Sequence, residues 1–407
     1  MKLKKIIKSI SRNCRLKKKL VKSNQILDTK SITFKDKNVL IIDSIIPEYN
    51  KDSGSRRLNE IIKVLLKNEI GVFLLADYAQ YRYRSEYIDY YKNLGVNVYE
   101  PKIYKGKLFT KRDFIKYISP QLDYAWLHRP LIFKKYNSFI KKLNQKTQLI
   151  FDMCDFHYVR YIRQWEREKN IEVKKIADRF LTIELNNFKK SDLVIAISSE
   201  DKKLVKTYYD DTSKFKILSN IHQFIDSKDK FISFDKRKDL LFVGNFGHTP
   251  NIDAVHFLKE KIMPIVWNTL PDLKVNIIGS HVTEDIKNLN TNNFRVIGYV
   301  EDLQPYLKSS ILFVAPLRFG AGIKGKIGQS LEHSLPVVTT NIGAEGFDFG
   351  TIQQYCIANE DYEIANKIIQ FQTDEDLWNT VSQYSEQILK PFSLDNIEEQ
   401  ILNILNK

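Results

Sequence analysis

Short apolar runs alternate with longer amphipathic stretches over most of the chain. From Asn38 onward the runs are rich in β-branched residues and are apolar throughout, not at every second position. Continuous hydrophobicity is typical of parallel strands that helices cover on both faces. The pattern therefore predicts βαβ units. The runs are VLIIDSII, GVFLLAD, VNVYE, DYAWLH, TQLIFDM, DLVIAIS and FKILSN in the first half, then DLLFVGNF, LKVNIIGS, FRVIGYV, SILFVAP, LPVVTT and YCIAN.

A charged stretch over residues 221–238 interrupts this alternation, which restarts after it, and we interpret the stretch as a linker. Two tandem open sheets place their ligand crevices at the carboxyl ends of the strands, so the expected site is a shared central cleft. Helices should continue to the end after Asp361, with an interruption at Pro391. The predicted parts are a basic extension (1–36), a first Rossmann-like domain (37–220), the linker (221–238), a second Rossmann-like domain (239–380) and C-terminal helices (381–407), for which packing back on the first domain is an option.

The positive charge is concentrated at the N-terminus. The formal net charge is +15, but residues 1–22 contain ten Lys or Arg and no acidic residue, which leaves +5 for the remainder. The body therefore lacks the basic excess of a nucleic-acid-binding protein. Apolar residues recur at helical spacing in this tail, which favours a helix lying on the anionic inner leaflet of a membrane. The alternative is a solvated basic tail.

Cysteine spacing and hydropathy give no sign of an oxidising compartment or a membrane span. Cys14, Cys154 and Cys356 are odd in number and far apart, so we interpret them as reduced thiols. No run of about 18 apolar residues occurs, and no apolar signal core follows the charged N-terminus. We therefore expect a cytosolic protein.

Motifs of the second half resemble a known family. FVGNFGHTPNIDAVHFL, IIGS, VIGYVEDL and APLRFGAGIKGKIGQSLEHSLPVVTTNIGAEGF follow in order between Leu241 and Phe347. Together they resemble the donor half of retaining family-four glycosyltransferases (glycosyl transferases group 1) of the GT-B fold. PEYNKDSGSRR, DYAWLHRP and FDMCDFHYVR resemble the first half more loosely. The resemblance implies a nucleotide-sugar donor, a glycan or lipid-linked acceptor, and a role in bacterial surface polysaccharide synthesis.

The stretch Gly320–Lys326 is a glycine-rich turn that leads from a strand into a helix. Glycines let the backbone approach an anion, helix N-terminal amides favour negative charge, and two lysines add positive charge. This combination predicts a phosphate site, against the simpler interpretation of a turn with solvated lysines. The residues assigned to the donor here are Gly320, Ala321, Gly322, Ile323 and Lys324, and Lys326 is the strongest candidate to stabilise charge during catalysis.

The family pattern places a pair of glutamates where this chain has Ala321 and Gln329. Ala321 leaves sugar contacts to backbone amides, whereas the Gln329 amide can still accept a ribose hydroxyl. We interpret Glu332 as a surface or packing residue and not as a displaced partner. Further donor candidates are Gly244 and Asn251 in the first loop of the second half, and Arg318, which either clamps phosphate or covers the sheet edge.

The first half contributes candidates at strand ends. Gly54 would face the donor phosphates, unless it is an ordinary loop glycine beside a helix capped by Ser55. His157 is assigned to catalysis with Asp155 orienting its imidazole, although a lone histidine is usually structural. His128 is the candidate acceptor-binding residue.

The expected mechanism needs no metal and no other cofactor. No DxD-like pair lies at a strand end in the second half, and lysines with backbone amides already supply positive charge. Two other functions stay open: a nucleotide-sugar epimerase, which would convert donor without acceptor, and a non-catalytic subunit, which the lost glutamate pair favours. A nucleic-acid-binding protein fits the charge distribution least.

Overall fold

The computed structural model describes residues 2–78, 85–225 and 232–405, with side chains for 11–78, 86–225 and 232–405. The chain forms two compact units. The first unit comprises Met1–Cys154, Ile183–Ile195 and Ser213–Lys216, and the second unit comprises Asp155–Thr182, Ala196–Thr212 and Ile217–Lys407.

The first unit is built on a seven-stranded sheet of order β3-β2-β1-β6-β7-β8-β9. Every residue of the central strands β1, β2 and β6 is buried, and these strands pair in parallel as continuous hydrophobicity predicts. The strand order reverses between β1 and β6, so the carboxyl ends of these strands form a switch point. The elements are α1 (Lys2–Lys22), β1 (Asn38–Asp43), α2 (Ser53–Lys67), β2 (Gly71–Ala76), α3 (Ser85–Asn93), β3 (Asn97–Val98), β4 (Lys102–Tyr104), β5 (Lys107–Phe109), α4 (Lys111–Ile118), β6 (Tyr124–His128), α5 (Pro130–Leu143), β7 (Gln148–Asp152), β8 (Leu193–Ala196) and β9 (Phe215–Ile217), with β4 and β5 forming a separate hairpin.

The second unit has a parallel five-stranded sheet of order β12-β11-β10-β13-β14. Its core joins these strands to their flanking helices in one hydrophobic cluster. The order reverses between β10 and β13, which makes their carboxyl ends the switch point of this sheet. The elements are α6 (His157–Glu168), α7 (Ile171–Lys190, of which 183–190 belong to the first unit), α8 (Ser199–Lys206), β10 (Leu240–Val243), α9 (Thr249–Phe257), α10 (Met263–Thr269), β11 (Val275–Ile278), α11 (Glu284–Lys287), β12 (Phe294–Gly298), α12 (Gln304–Ser309), β13 (Leu312–Ala315), α13 (Gly325–Glu332), β14 (Val337–Thr339), α14 (Asn341–Ala344), α15 (Gln353–Cys356), α16 (Asp361–Thr373), α17 (Glu375–Leu389) and α18 (Leu394–Leu405).

The alternation of strands and helices predicted from the sequence is confirmed, with one strand wrong. In the run YCIAN, Cys356 ends helix α15, and only Ile357 forms an isolated parallel bridge, to Thr339. The apolar part of this run is too short to pair with the edge strand β14 beyond this single bridge. The division into five sequence segments stays a prediction. Within the described residues no helix is long and apolar enough to span a bilayer.

Candidate active site

The glycine-rich turn connects β13 to α13, as the sequence predicts. Gly320 has a φ of 142° and Gly322 a φ of 71°, which other residues rarely adopt. A Cβ atom at Gly320 would come no nearer than 3.7 Å to another atom, so backbone conformation and not crowding requires glycine there. No described side chain caps α13. Its first backbone amides are therefore available to an anion.

Lys326 lies in the first turn of α13, where an amide and an aromatic ring hold its ammonium group. Nζ donates to Asn251 Oδ1 at 2.5 Å and lies 4.6 Å from the ring centroid of Phe242. Burial lowers the pKa of Lys326 to about 7, and the charge of Lys324 lowers it further. Within the described residues no carboxylate forms an ion pair with Lys326. An anion that binds here would meet a cation that lacks a counter-charge.

The loop after β10 lies beside Lys326 at the switch point of this sheet. Asn251 Nδ2 donates to the carbonyl oxygen of Asn245 at 2.8 Å, while its Oδ1 accepts from Lys326. A Cβ atom at Gly244 would lie 3.0 Å from Asn251 Cγ, so glycine allows this close approach. Three predicted residues, Gly244, Asn251 and Lys326, thus come together at the carboxyl ends of β10 and β13.

Arg318 is engaged by a carboxylate that the sequence did not suggest. Its Nε and Nη2 atoms donate to the two oxygens of Asp253 at 2.8 and 2.5 Å, and its guanidinium lies 4.4 Å from the ring centroid of Phe257. Arg167 Nε also donates to Asp253, at 3.2 Å. A phosphate would have to compete with Asp253 for Arg318, and the clamp role stays a prediction.

Lys324 and Arg163 bind backbone carbonyl oxygens of the glycine-rich turn. Lys324 Nζ donates to the carbonyl oxygen of Gly322 at 2.5 Å and pairs with Glu345 at 3.2 Å. Arg163 Nη1 donates to the carbonyl oxygen of Gly320 at 2.8 Å and pairs with Glu345 at 2.7 Å. Sequence reasoning missed Arg163 and Glu345, although Glu345 lies in the GAEGF motif that ends the resemblance. That motif, in which a carboxylate stands between Ala344 and Gly346, was the signal in the sequence that could have pointed to Glu345.

Gln329 and Glu332, the two positions of α13 considered as donor contacts from the sequence, differ in burial. Gln329 is partly exposed, whereas Glu332 is 3% exposed. Glu332 accepts hydrogen bonds from His222 Nδ1 at 2.9 Å and from the Gln223 amide at 3.2 Å. A Cβ atom at Gly328 would lie 2.3 Å from His222 Nε2, so glycine makes room for that ring. Glu332 is a buried packing residue in this structure.

Asp155 and His157 form a dyad where α6 begins. His157 Nδ1 lies 2.7 Å from Asp155 Oδ1, and Arg160 Nη1 donates to Asp155 Oδ2 at 2.9 Å. The imidazole packs on Phe180 with ring centroids 5.1 Å apart. The structure therefore places Asp155 where it can orient His157, while catalysis by the pair stays a prediction.

Asp201 is a buried acid near these groups. It is 2% exposed, and its Oδ2 accepts from the Ser198 hydroxyl at 2.9 Å. Burial raises its pKa to about 7, with a further contribution from the charges of Asp155 and Glu345, while Ser198 and Lys324 act in the opposite direction. Asp201 could not be selected from the sequence, because the charged groups that act on it, Asp155, Lys324 and Glu345, come from other elements.

In the first unit, His128 lies inside a buried polar network at the carboxyl ends of β1, β6 and β7. Its Nδ1 lies 2.9 Å from Asp43 Oδ2, and its side chain is 1% exposed. Burial alone would lower the pKa of His128, but Cys154, Asp43 and Asp152 raise it to about 10. Acceptor binding by His128 stays a prediction, and its ring would have to act through neighbouring groups.

The same network contains one set of atoms with metal-ligand spacing. Single ligand atoms of His128, Asp152 and Cys154 lie within 4.8 Å of one another. However, Asp152 Oδ2 already accepts from Arg57 Nη1 at 2.7 Å and from Trp126 Nε1 at 2.9 Å. A cation would have to displace Arg57, so these residues do not fit a resident metal.

Gly54 lies in the first turn of α2, close to that network. The helix begins at Ser53 with Asp52 as its cap, so the suggestion that Ser55 caps it is wrong. Asp52 is the better cap because its carboxylate accepts from both the backbone amide and the hydroxyl of Ser55, at 2.9 and 2.8 Å. A Cβ atom at Gly54 would lie 3.7 Å from Arg129 Nη2. The predicted contact of Gly54 with the donor phosphates stays a prediction.

Two parallel sheets of this topology define the GT-B class of glycosyltransferase folds, in agreement with solved structures. Anabaena HepE, in complex with UDP and glucose, is 12% identical with a TM-score of 0.63, over 91% of this chain and 99% of that one. A variant of S. aureus TarM, in complex with fondaparinux, α-GlcNAc-glycerol and UDP, is 14% identical with a TM-score of 0.66, over 91% and 100% of the two chains. These likenesses confirm the predicted fold class.

The family resemblance is likewise confirmed for the second unit. Residues 237–374 match the model of the family described as glycosyl transferases group 1. An uncharacterized 44.6 kDa protein in the cps region of Klebsiella pneumoniae is 30% identical over 152 residues. That alignment covers 35% of this chain and 39% of the relative.

Proposed function

We propose that this protein is a glycosyltransferase that moves a sugar, with retention of anomeric configuration, from a nucleotide-sugar donor to a glycan or lipid-linked acceptor. The observation that carries the proposal is the site at the switch point of the second unit. There the amides of α13 and the ammonium group of Lys326, which pairs with no carboxylate among the described residues, lie beside a turn whose positive φ values favour glycine. Such a site suits a diphosphate.

The proposed reaction breaks the bond between the anomeric carbon and the diphosphate oxygen and forms a bond to the acceptor oxygen on the same face. The acceptor proton passes to the departing diphosphate oxygen. Negative charge grows on that leaving group, and preorganised amides with Lys326 stabilise it. His157, oriented by Asp155, serves to position the reacting groups.

The proposal extends to surface polysaccharide synthesis because of the relative in a cps region and the group 1 family domain. HepE and TarM, whose structures contain UDP, favour a uridine nucleotide as the first donor to examine. The proposed reaction uses no metal and no other cofactor. The positive charge of the phosphate site comes from lysine and backbone amides.

The direct test combines ligand binding with turnover. Thermal-shift measurements with UDP, GDP, ADP, CMP and dTDP should show one nucleotide that raises the melting temperature, since a ligand of the folded state stabilises it. The matching nucleotide sugars should then be consumed with an acceptor, and the rate in EDTA should equal the rate without it. Epimerisation of the donor in the absence of acceptor, or binding of a nucleotide without any turnover, would contradict the transferase proposal. Inhibition by EDTA that magnesium reverses would contradict metal independence.

We further propose that the N-terminal helix holds the protein on the inner face of the plasma membrane. α1 runs from Lys2 to Lys22, and its described basic side chains from Arg12 onward are exposed. Each cation near an anionic surface contributes about 1 kcal/mol. Deleting residues 1–22 should move the protein from the membrane pellet to the soluble fraction, measured with vesicles of phosphatidylglycerol against neutral vesicles as the control. Equal sedimentation of the full and shortened chains would contradict this role.

A further inference from the structure

Glu345 places a carboxylate against the glycine-rich turn of the second unit. Its Oε1 lies 2.7 Å from Arg163 Nη1 and its Oε2 lies 3.2 Å from Lys324 Nζ. Arg163 and Lys324 also donate to the carbonyl oxygens of Gly320 and Gly322. Two cations therefore fix one carboxylate in a defined position relative to the turn.

The local fold explains how Glu345 reaches this position. Thr340 caps the short helix α14, with its Oγ1 accepting from the Gly343 amide at 3.1 Å. The following Gly346 has a φ of 87°, and a Cβ atom there would lie 2.4 Å from Ile323 Cγ1. The chain after Glu345 thus packs directly on the glycine-rich turn, and only glycine permits the contact.

The turn itself offers a bound sugar mainly hydrogen-bond donors. Between Gly320 and Lys326 its side chains are a methyl group, an apolar chain and two ammonium groups. Sugar hydroxyls also need acceptors, and a carboxylate is the strongest acceptor among side chains. Glu345 keeps 18% of its side chain exposed, whereas the neighbouring Asp201 is 2% exposed and occupied by Ser198. Of these two carboxylates, Glu345 is the one that a ligand can reach.

We propose that Glu345 binds the transferred sugar, its carboxylate accepting hydrogen bonds from sugar hydroxyls while Arg163 and Lys324 hold it in place. This inference rests on the proposed glycosyltransferase function and adds to it a residue that selects the sugar. Arg163 and Lys324 act as positioning residues. The nucleoside diphosphate, by contrast, depends on Lys326 and the α13 amides.

The test separates sugar recognition from nucleotide recognition in Glu345→Gln and Glu345→Ala. The probes are UDP and UDP-glucose. If thermal-shift measurements select another nucleotide, its diphosphate and the corresponding nucleotide sugar are used in their place. Loss of a charge-assisted hydrogen bond should lower kcat/KM for the nucleotide sugar by about 10- to 100-fold. The Kd for the nucleoside diphosphate should change by less than about threefold, because Glu345 does not contact it. Glu284→Gln, an exposed partner of Lys287 on α11, is the matched control.

Donors that lack a single sugar hydroxyl identify the hydroxyl that Glu345 contacts. If Glu345 accepts from a hydroxyl, the wild-type protein should lose activity on the donor that lacks it, and Glu345→Ala should lose no more on that donor. Equal kcat/KM for Glu345→Gln and wild type would overturn the inference and leave the transferase proposal intact. Equal losses of nucleotide and nucleotide-sugar binding would also overturn it, since Glu345 would then only support the turn. If the wild-type protein is inactive with every nucleotide sugar in the presence of acceptor, the transferase function itself is refuted.

Discussion

Replacing Lys326 by alanine is expected to lower kcat/KM for the nucleotide-sugar donor by about 100- to 1000-fold, the effect of removing one preorganised group from a developing negative charge. Donor affinity and turnover should fall together, because in the proposed mechanism Lys326 contacts the diphosphate both before and during bond cleavage. Asn251 should be released by the substitution, since its Oδ1 accepts from the Lys326 ammonium group. The measurement is steady-state kinetics together with calorimetric titration of the nucleoside diphosphate.

The same lysine predicts how donor binding depends on pH. Burial lowers the pKa of Lys326 to about 7, so the free protein carries a charged ammonium group below pH 7 and a neutral amine above it. A diphosphate favours the charged form and raises the pKa in the complex. Affinity for the diphosphate should therefore be highest below pH 7 and fall as the pH rises above it, with proton uptake on binding.

Two comparisons make this prediction specific. Lys287→Ala removes an exposed ammonium group that pairs with Glu284, and it should leave kcat/KM unchanged. Lys326→Ala should also abolish the decline in affinity above pH 7. If the variant kept the donor affinity and rate of the wild type, Lys326 would lie outside the site. The turn would then have to bind the donor through backbone amides alone.

The fold was predictable because its strands are buried on both faces. The four central residues of β1, Val39 to Ile42, are all apolar, as expected when helices cover both sides of a parallel sheet, and this signal is local in sequence. The glycine-rich turn was predictable for a related reason. The positive φ values at Gly320 and Gly322 favour glycine, so the residue types at these positions indicate the conformation.

The partners of the candidate residues were not predictable, because they come from distant parts of the chain. Glu345 meets Arg163 of α6, and Arg318 meets Asp253 of α9, only after the second unit has folded. Nothing in the local sequence distinguishes Arg318 bound to Asp253 from Arg318 open to phosphate. The pairing of Asp155 with His157 could be suggested because only one residue separates them.

His128 shows the same limit in the first unit. Its position at the end of β6 suggested a ligand contact, yet parallel pairing brings the ends of β1 and β7 beside it. Asp43 and Asp152 end those strands, and the charges they bring into the interior require Arg57 and Arg129 as partners. Strand register, which the sequence does not give, therefore decides that His128 belongs to a buried network.

The largest effect on stability is expected from Arg57→Ala. Arg57 and Asp152 form an ion pair at 2.7 Å with side chains 2% and 1% exposed. Removing one partner leaves the other charge buried, which should lower the free energy of unfolding by about 3–5 kcal/mol. Asp152 would keep Trp126 Nε1 as a donor at 2.9 Å and His128 Nε2 at 3.9 Å, but neither replaces the guanidinium contact at 2.7 Å. Urea unfolding followed by circular dichroism measures the change.

An exposed pair provides the control for this substitution. Lys63 pairs with Glu60 on the same helix α2, with side chains 44% and 22% exposed, and Lys63→Ala should cost at most about 1 kcal/mol. Replacing both buried partners by leucine should recover part of the loss seen in Arg57→Ala, because the Asp152 charge is then removed together with its partner, although Trp126 Nε1 loses its acceptor. A cost for Arg57→Ala no larger than that for Lys63→Ala would show that water reaches Asp152. The carboxyl ends of β1, β6 and β7 would then be a solvated crevice, and His128 would be open to direct contact with a ligand.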